Sequence, residues 1–223
     1  MIARALAMAA SLLVLVVVFV PLERLFPARR GQRVLRAGLG VDALFFAGAY
    51  MVWSGVSMAT LGAVQGGLAG TVPVALRPGA IPVGLACLLA VVLGDVLVYW
   101  FHRACHAWEP LWHFHAVHHS AEELDFLAAH REHPVDGILT QLCQNLPAFL
   151  LGVPIGPLAA IAALRGMWAV FVHSNVRLPL GPLRWILGAP ELHHWHHARL
   201  PQTTHNFANL APWIDVVFGT HHL

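Results

Sequence analysis

The chain has 223 residues and a formal net charge of +2. Hydrophobic residues make up 58% of it, charged residues 11%, and mean hydropathy is +0.66. A soluble domain carries about 25% charged residues, so a soluble enzyme and a disordered chain are both excluded and a one-domain integral membrane protein is expected. All 13 basic residues are arginine, and no polybasic arm for nucleic acid is present.

In chain order, the first predicted span runs from Ala5 to Leu22, an apolar run broken only by Ser11 and Pro21. Arg4 before it makes a signal peptide the rival, but no small-x-small cleavage site precedes Glu23-Arg24, so a retained helix is expected. Val41 to Val64 makes the second span and Gly79 to Phe101 the third, which carries Asp95. Gly137 to Val172 is apolar but interrupted by Gly152, Pro154, Gly156 and Pro157. It reads as a helical hairpin turning at that cluster, with Gln141, Gln144, Asn145 and Arg165 facing protein rather than lipid. The fold class is therefore all-α: about three spans plus a hairpin, with a histidine-rich helical cap. Residues 1–80 read as scaffold and 81–223 as the catalytic part of one structural unit.

Arginine counts orient the chain. The linker after the first span holds Arg24, Arg29, Arg30, Arg33 and Arg36, whereas the loop between spans two and three holds only Arg77. A cytosolic first linker makes the N-terminus external and brings every histidine to the cytosolic face. Cys87, Cys105 and Cys143 form no C-x-x-C pair, which agrees with a reducing compartment. Trp100, Trp108, Trp112, Trp185, Trp195 and Trp213 lie near the histidines, as interfacial or core rings.

The 16 histidines are segregated: none precedes His102, eight lie between His102 and His133, seven between His193 and His222, and His173 stands alone. His102 and His106 are four apart on a helix continuing the third span, so both imidazoles can reach one metal. Asp95 lies two turns back on that face, where a carboxylate can orient a ligand imidazole. His115, His118 and His119 repeat as H-x-x-H-H, as do His193, His196 and His197, and each box is expected to present one helical face. Eight clustered imidazoles are costly to bury unless metal holds them neutral. They exceed one four-ligand zinc site and suit two ions with open positions. No H-E-x-x-H pattern is present. Imidazole alone does not name the metal.

The set H-x-x-x-H, H-x-x-H-H, H-x-x-H-H after apolar spans resembles the fatty acid hydroxylase/sterol desaturase superfamily. The matching text is DVLVYWFHRACH from Asp95, LWHFHAVHHS from Leu111, REHP from Arg131, HSN from His173, PELHHWHH from Pro190 and WIDVVFGT from Trp213. It covers roughly Gly94 to Thr220. The resemblance implies a non-haem di-iron centre held by His102, His106, His115, His118, His119, His193, His196 and His197, with His173 as a further ligand. Asp95, His133, His194 and Asn206 are candidates for orienting those ligands. His113, His130 and His205 fall in orienting or surface roles, and His221 and His222 in a solvated tail. The chain has Asn206-Phe-Ala where the family has Asn-Tyr-Gly.

The resemblance further implies dioxygen as co-substrate, two iron ions, and hydroxylation or desaturation of an unactivated C–H bond in a lipid. The lipid reaches the centre from the bilayer, between the hairpin and the third span. Two electrons come from outside, from a ferredoxin or cytochrome-type donor fed by an NAD(P)H reductase, because no G-x-G-x-x-G motif is present. Arg103, Arg131, Arg177 and Arg199 are candidate contacts for an acidic donor or a lipid headgroup. The location implied is the bacterial inner membrane. The rival classes are a zinc-dependent hydrolase or isomerase on the same scaffold and a metal transporter, which would need ligands inside the spans.

Overall fold

The computed structural model describes residues 1–68, 81–198 and 204–223. Nine α-helices are found among them: α1 (Ile2–Leu25), α2 (Leu39–Gly48), α3 (Ser54–Leu68), α4 (Val83–Ala107), α5 (Glu109–His115), α6 (Pro134–Leu150), α7 (Ile155–His173), α8 (Pro190–His196) and α9 (Trp213–Val217). The described residues contain no β-strand, only an isolated bridge between Pro27 and Val176.

A π-helical turn, Ala49–Trp53, joins α2 to α3 without a break. Four segments are long and apolar enough to cross a membrane: α1, the 30-residue α2–α3 run, α4 and α7. Their exposed faces are hydrophobic, with Leu13, Val14 and Val17 on α1, Val52 and Val56 on the second segment, and Leu88 and Leu93 on α4. A helix that is apolar all round with its outer face uncovered belongs in lipid. The expected start of the third span, Gly79, lies outside the described residues, as does Arg77.

The hairpin turns where its Gly/Pro cluster indicated. Gly152 takes φ +62° after α6. Val153 N–H donates to Ala148 O at 2.9 Å and Gly152 N–H to Phe149 O at 3.2 Å. This is a Schellman cap, and Val153 packs with Ala148 in one apolar cluster. Pro154 then caps α7. Against α6, α4 packs so closely that a Cβ on Gly94 would stand 2.6 Å from Gln144 O.

A core of Leu15, Phe19, Phe46, Phe126, Leu127 and Val170 ties α1, α2 and α7 to the loop before α6. The C-termini of α1, α4 and α7 and the N-termini of α2 and α6 meet at one end of the bundle, and the short helices cap that end. A buried ionic brace fastens the cap. Arg36 Nε donates to Asp125 Oδ2 at 2.6 Å, its terminal nitrogen bonds Asp42, and Arg131 Nε donates to the other Asp42 oxygen at 2.5 Å. Asn175 joins the same region: its Oδ1 accepts from Arg29 N–H at 2.7 Å, and its own N–H donates to Glu23 at 3.0 Å.

Candidate metal centre

Nine of the predicted ligands converge in two neighbouring groups. His102, His106, His115, His119 and His196 form one; His118, His173, His193 and His197 form the other. Within each group the ligand atoms lie within 4.8 Å of one another. His119 and His197 stack across the boundary with ring centroids 4.4 Å apart.

The expectation that each H-x-x-H-H box presents one face is corrected. α5 ends at His115, and the chain turns at Ala116–Val117 into a 3-10 turn, His118–Ser120. His118 and His119 then diverge, their ring planes 89° apart, and go to different groups. On α8, His193 and His197 are four apart and stay together, whereas His196 points about 100° from His197. Each box therefore serves both groups.

Acceptors that cannot donate orient most of these rings. His102 Nδ1–H donates to Phe207 O at 2.8 Å, His196 to His205 O at 2.8 Å, His118 to Arg131 O at 3.1 Å and His173 to Ala169 O at 2.6 Å. His115 Nδ1–H donates to the Asp136 carboxylate at 2.8 Å. This fixes the tautomer, so each of these Nε2 atoms carries a bare lone pair. Yet His118 Nε2 and His173 Nε2 stand 3.0 Å apart, and His193 Nε2 is 2.9 Å from His173 Nε2. The Nε2 atoms of His102, His106 and His196 are buried with no partner.

Lone pairs cannot face one another at that distance without a cation between them. Protonation does not supply it, because burial holds both His118 and His193 below the ordinary histidine pKa. Two imidazoles bound at right angles to one metal at about 2.1 Å would bring their nitrogens to about 3 Å, which matches. The donor set fits metal in both groups. Cys105, His115 and Asp136 also cluster, but there Asp136 is already bonded to His115, with Cys105 Sγ 3.9 Å away.

The family model for fatty acid hydroxylases matches residues 87–220. The chain belongs to the fatty acid hydroxylase family. It is 33% identical over 147 residues to ornithine lipid hydroxylase OlsE of Rhizobium tropici, covering 65% of this chain and 44% of that protein. It is 31% identical over 127 residues to alkylglycerol monooxygenase of Xenopus tropicalis, covering 56% and 28%. A putative Delta(7)-sterol-C5(6)-desaturase 2 of Arabidopsis thaliana is 29% identical over 136 residues, covering 59% and 46%. The chain thus spans less than half the length of these relatives. No solved structure matches it.

Several expected roles are corrected. Asp95 orients no histidine; it faces Arg165 at 3.7 Å, and the carboxylate that holds a ring is Asp136. His133 turns away from both groups, caps α6 by accepting from Val135 N–H at 3.2 Å, and lies against Phe114. His194 instead contacts Ser174 O at 3.1 Å, beside His173. Asn206 adopts φ +57°, which Asn tolerates. Its side chain donates to Leu192 O and His222 O and accepts from His222 N–H. That pins α8 and refutes a free tail at His221 and His222. Arg131 is committed to the buried brace and is not a surface contact. Arg199 lies outside the described residues.

His113 is exposed and bonds Glu109 O. The His205 ring lies against His222, and its carbonyl is the one that orients His196. His130 sits edge-on to Phe46 with centroids 4.8 Å apart, and burial pulls its pKa down to about 4. Asp215 had no assigned role in the sequence. It accepts from Phe207 N–H, Ala208 N–H and the Thr220 hydroxyl at 2.8–2.9 Å, which sets the carbonyl that holds His102.

A cavity of about 750 Å³ opens from His102, His115, His118, His173 and His193 into the bundle. Its walls are the α2–α3 segment, α6 and α7, with Val98 and Phe101 of α4. The expected route between the hairpin and the third span is closed by the α4–α6 packing at Gly94. The space lies against the second span, and Ala49, Tyr50 and Trp53 of the π-helical turn line it.

Proposed function

We propose that the chain is a membrane-bound lipid oxygenase in which His102, His106, His115, His119 and His196 hold one iron ion and His118, His173, His193 and His197 hold a second. The facing Nε2 lone pairs of His118 and His173, 3.0 Å apart with both Nδ1 atoms committed to carbonyls, carry this reading. The ferrous pair supplies activation of dioxygen toward an unactivated C–H bond.

The chain's own residues supply the rest. Carbonyls of Ala169, Arg131, His205 and Phe207 fix the direction of four ligand rings. Asp136 places its negative charge on His115 and raises the basicity of that ligand. The cavity walls hold the substrate against the histidines and keep bulk water away from them. Hydroxylation is favoured over desaturation by the relatives whose names are hydroxylase and monooxygenase.

The substrate is a lipid drawn from the bilayer. Two electrons come from a ferredoxin or cytochrome-type donor fed by NAD(P)H. The histidine end faces the cytosol, since Arg24, Arg29, Arg30, Arg33 and Arg36 all lie at that end of the bundle, and the membrane is a bacterial inner membrane. Residues 1–80 and 81–223 act as one unit through the core shared by α1, α2 and α7.

Lipid profiling under labelled dioxygen tests this reading. Cells expressing the wild type are compared with cells expressing His118→Ala/His196→Ala, which removes one imidazole from each group. A lipid that gains one labelled oxygen with the wild type alone is the expected result. Loss of two hydrogens without label would make the enzyme a desaturase. No difference, with iron and a reductant supplied, would overturn the proposal.

A further inference from the structure

Below the histidines the cavity carries an uncommitted polar layer. Gln141, Gln144 and Asn145 lie on one face of α6 and line the cavity, opposite Ser54 and Ser57 of α3. Asn145 donates to Gln141 O at 2.8 Å and Ser54 to Tyr50 O at 2.7 Å. Among the described residues, the side-chain amides of Gln141 and Gln144 make no hydrogen bond. At membrane depth, polar groups without partners are costly, and such groups persist where they line a space that something polar fills.

The depth of this layer is set by three helices. Asp136 to Gln144, His173 to Arg165 and His102 to Gly94 each span eight residues, or about 12 Å. The three ends meet: a Cβ on Gly94 would stand 2.6 Å from Gln144 O and 3.3 Å from the Arg165 guanidinium. Gln141 lies five residues from Asp136, about 7.5 Å. The layer carries no net charge, because the Arg165 guanidinium is balanced by Asp95 at 3.7 Å and donates to Val91 O, with its Nε left unpartnered. The acidic Glu132 and Asp136 lie at the histidine end. Carboxamides donate and accept together, which suits an uncharged hydroxyl, ester or amide.

Building on the oxygenase reading, we infer that Gln141 and Gln144 select a lipid bearing a neutral hydrogen-bonding group about 7–12 Å from the carbon that reacts. Along an extended alkyl chain that is about six to nine carbons, since each bond of about 1.5 Å zigzags. A plain hydrocarbon tail would leave both amides unpaired. A chain carrying a hydroxyl or carbonyl at that depth satisfies them and is held in register, so these two residues set which C–H bond is presented.

Probe binding to the metal-free full chain tests this without needing turnover. In lipid nanodiscs, tryptophan quenching is measured for 12-bromododecan-1-ol and for 1-bromododecane, and a Trp53→Phe variant identifies the signal from the cavity. The alcohol is expected to quench at a concentration about tenfold lower than the bromoalkane, the worth of one or two net hydrogen bonds. Gln141→Met/Gln144→Met should abolish that preference and leave the bromoalkane response unchanged, which also shows the cavity is intact. The single variants should each lose part of it, and they serve if the double variant does not fold. Equal response to both probes in the wild type, or a preference surviving in the variants, would overturn the inference. Because this assay needs neither iron nor oxygen, its failure is separate from failure of the labelled-dioxygen experiment.

Discussion

Replacing His173 with alanine is expected to remove one of the two metal ions from each chain and to lower lipid oxidation by at least about 100-fold, since loss of a mere orienting partner already costs up to that much. His173 is the middle of the second group, with His118 Nε2 at 3.0 Å and His193 Nε2 at 2.9 Å. Its removal leaves three imidazoles and a gap. His133→Ala is the matched control. That residue sits in the family-like Arg131-x-His-Pro text but caps α6 instead of joining either group. Its replacement should keep both metals and cost about 1 kcal/mol of stability through the lost cap. Metal analysis of the two purified variants separates the roles. Equal metal loss in both would contradict the assignment.

Asp42→Ala is expected to destabilise the chain by about 3–5 kcal/mol, the cost of breaking a buried ion pair from one side. Asp42 is fully buried between Arg36 and Arg131, so its loss leaves two guanidinium groups short of their counter-charge. The effect reaches the site, because Arg131 also offers the carbonyl that holds His118. Unfolding in detergent, followed by tryptophan fluorescence, reads the stability. A change below about 1 kcal/mol, as for an exposed pair, would show that the brace does not hold the cap.

The spans and hairpin were legible because apolar length and Gly/Pro punctuation are local signals. Gly152 and Pro154 mark the turn, and the Schellman bonds from Val153 and Gly152 follow from them. The nine converging histidines were legible by spacing and family likeness. Their division between two groups was not, since it depends on where α5 stops, one residue before Ala116. Asp95 looked like the orienting carboxylate because it shares a helix with His102. Asp136, from another helix, takes that part, and only its place in the first turn after His133-Pro hinted at it. The carbonyls of Phe207, His205 and Arg131 have no side-chain signature at all. Arg36 and Asp125 are 89 residues apart, beyond any local pattern. The cavity followed from packing: Gly94 closes one side of α6, and the π-helical turn lines the other.

The same contrast bears on chemistry. Four ligand rings are set by peptide carbonyls, which cannot titrate or rotate away, while a single carboxylate, Asp136, holds a fifth. A site built so leaves the Nε2 atoms of these five rings aimed and unprotonated before any metal arrives, which is the preorganisation a metal centre needs.

In the proposed enzyme, two imidazole groups hold two irons side by side. Anaerobic loading of the wild-type chain with ferrous iron, followed by metal analysis and Mössbauer spectroscopy on the same sample, tests it most directly. Two high-spin ferrous ions per chain in nitrogen-rich coordination, both oxidised on exposure to oxygen, are expected. A single iron per chain, or a preference for zinc with no oxygen consumed, would contradict it.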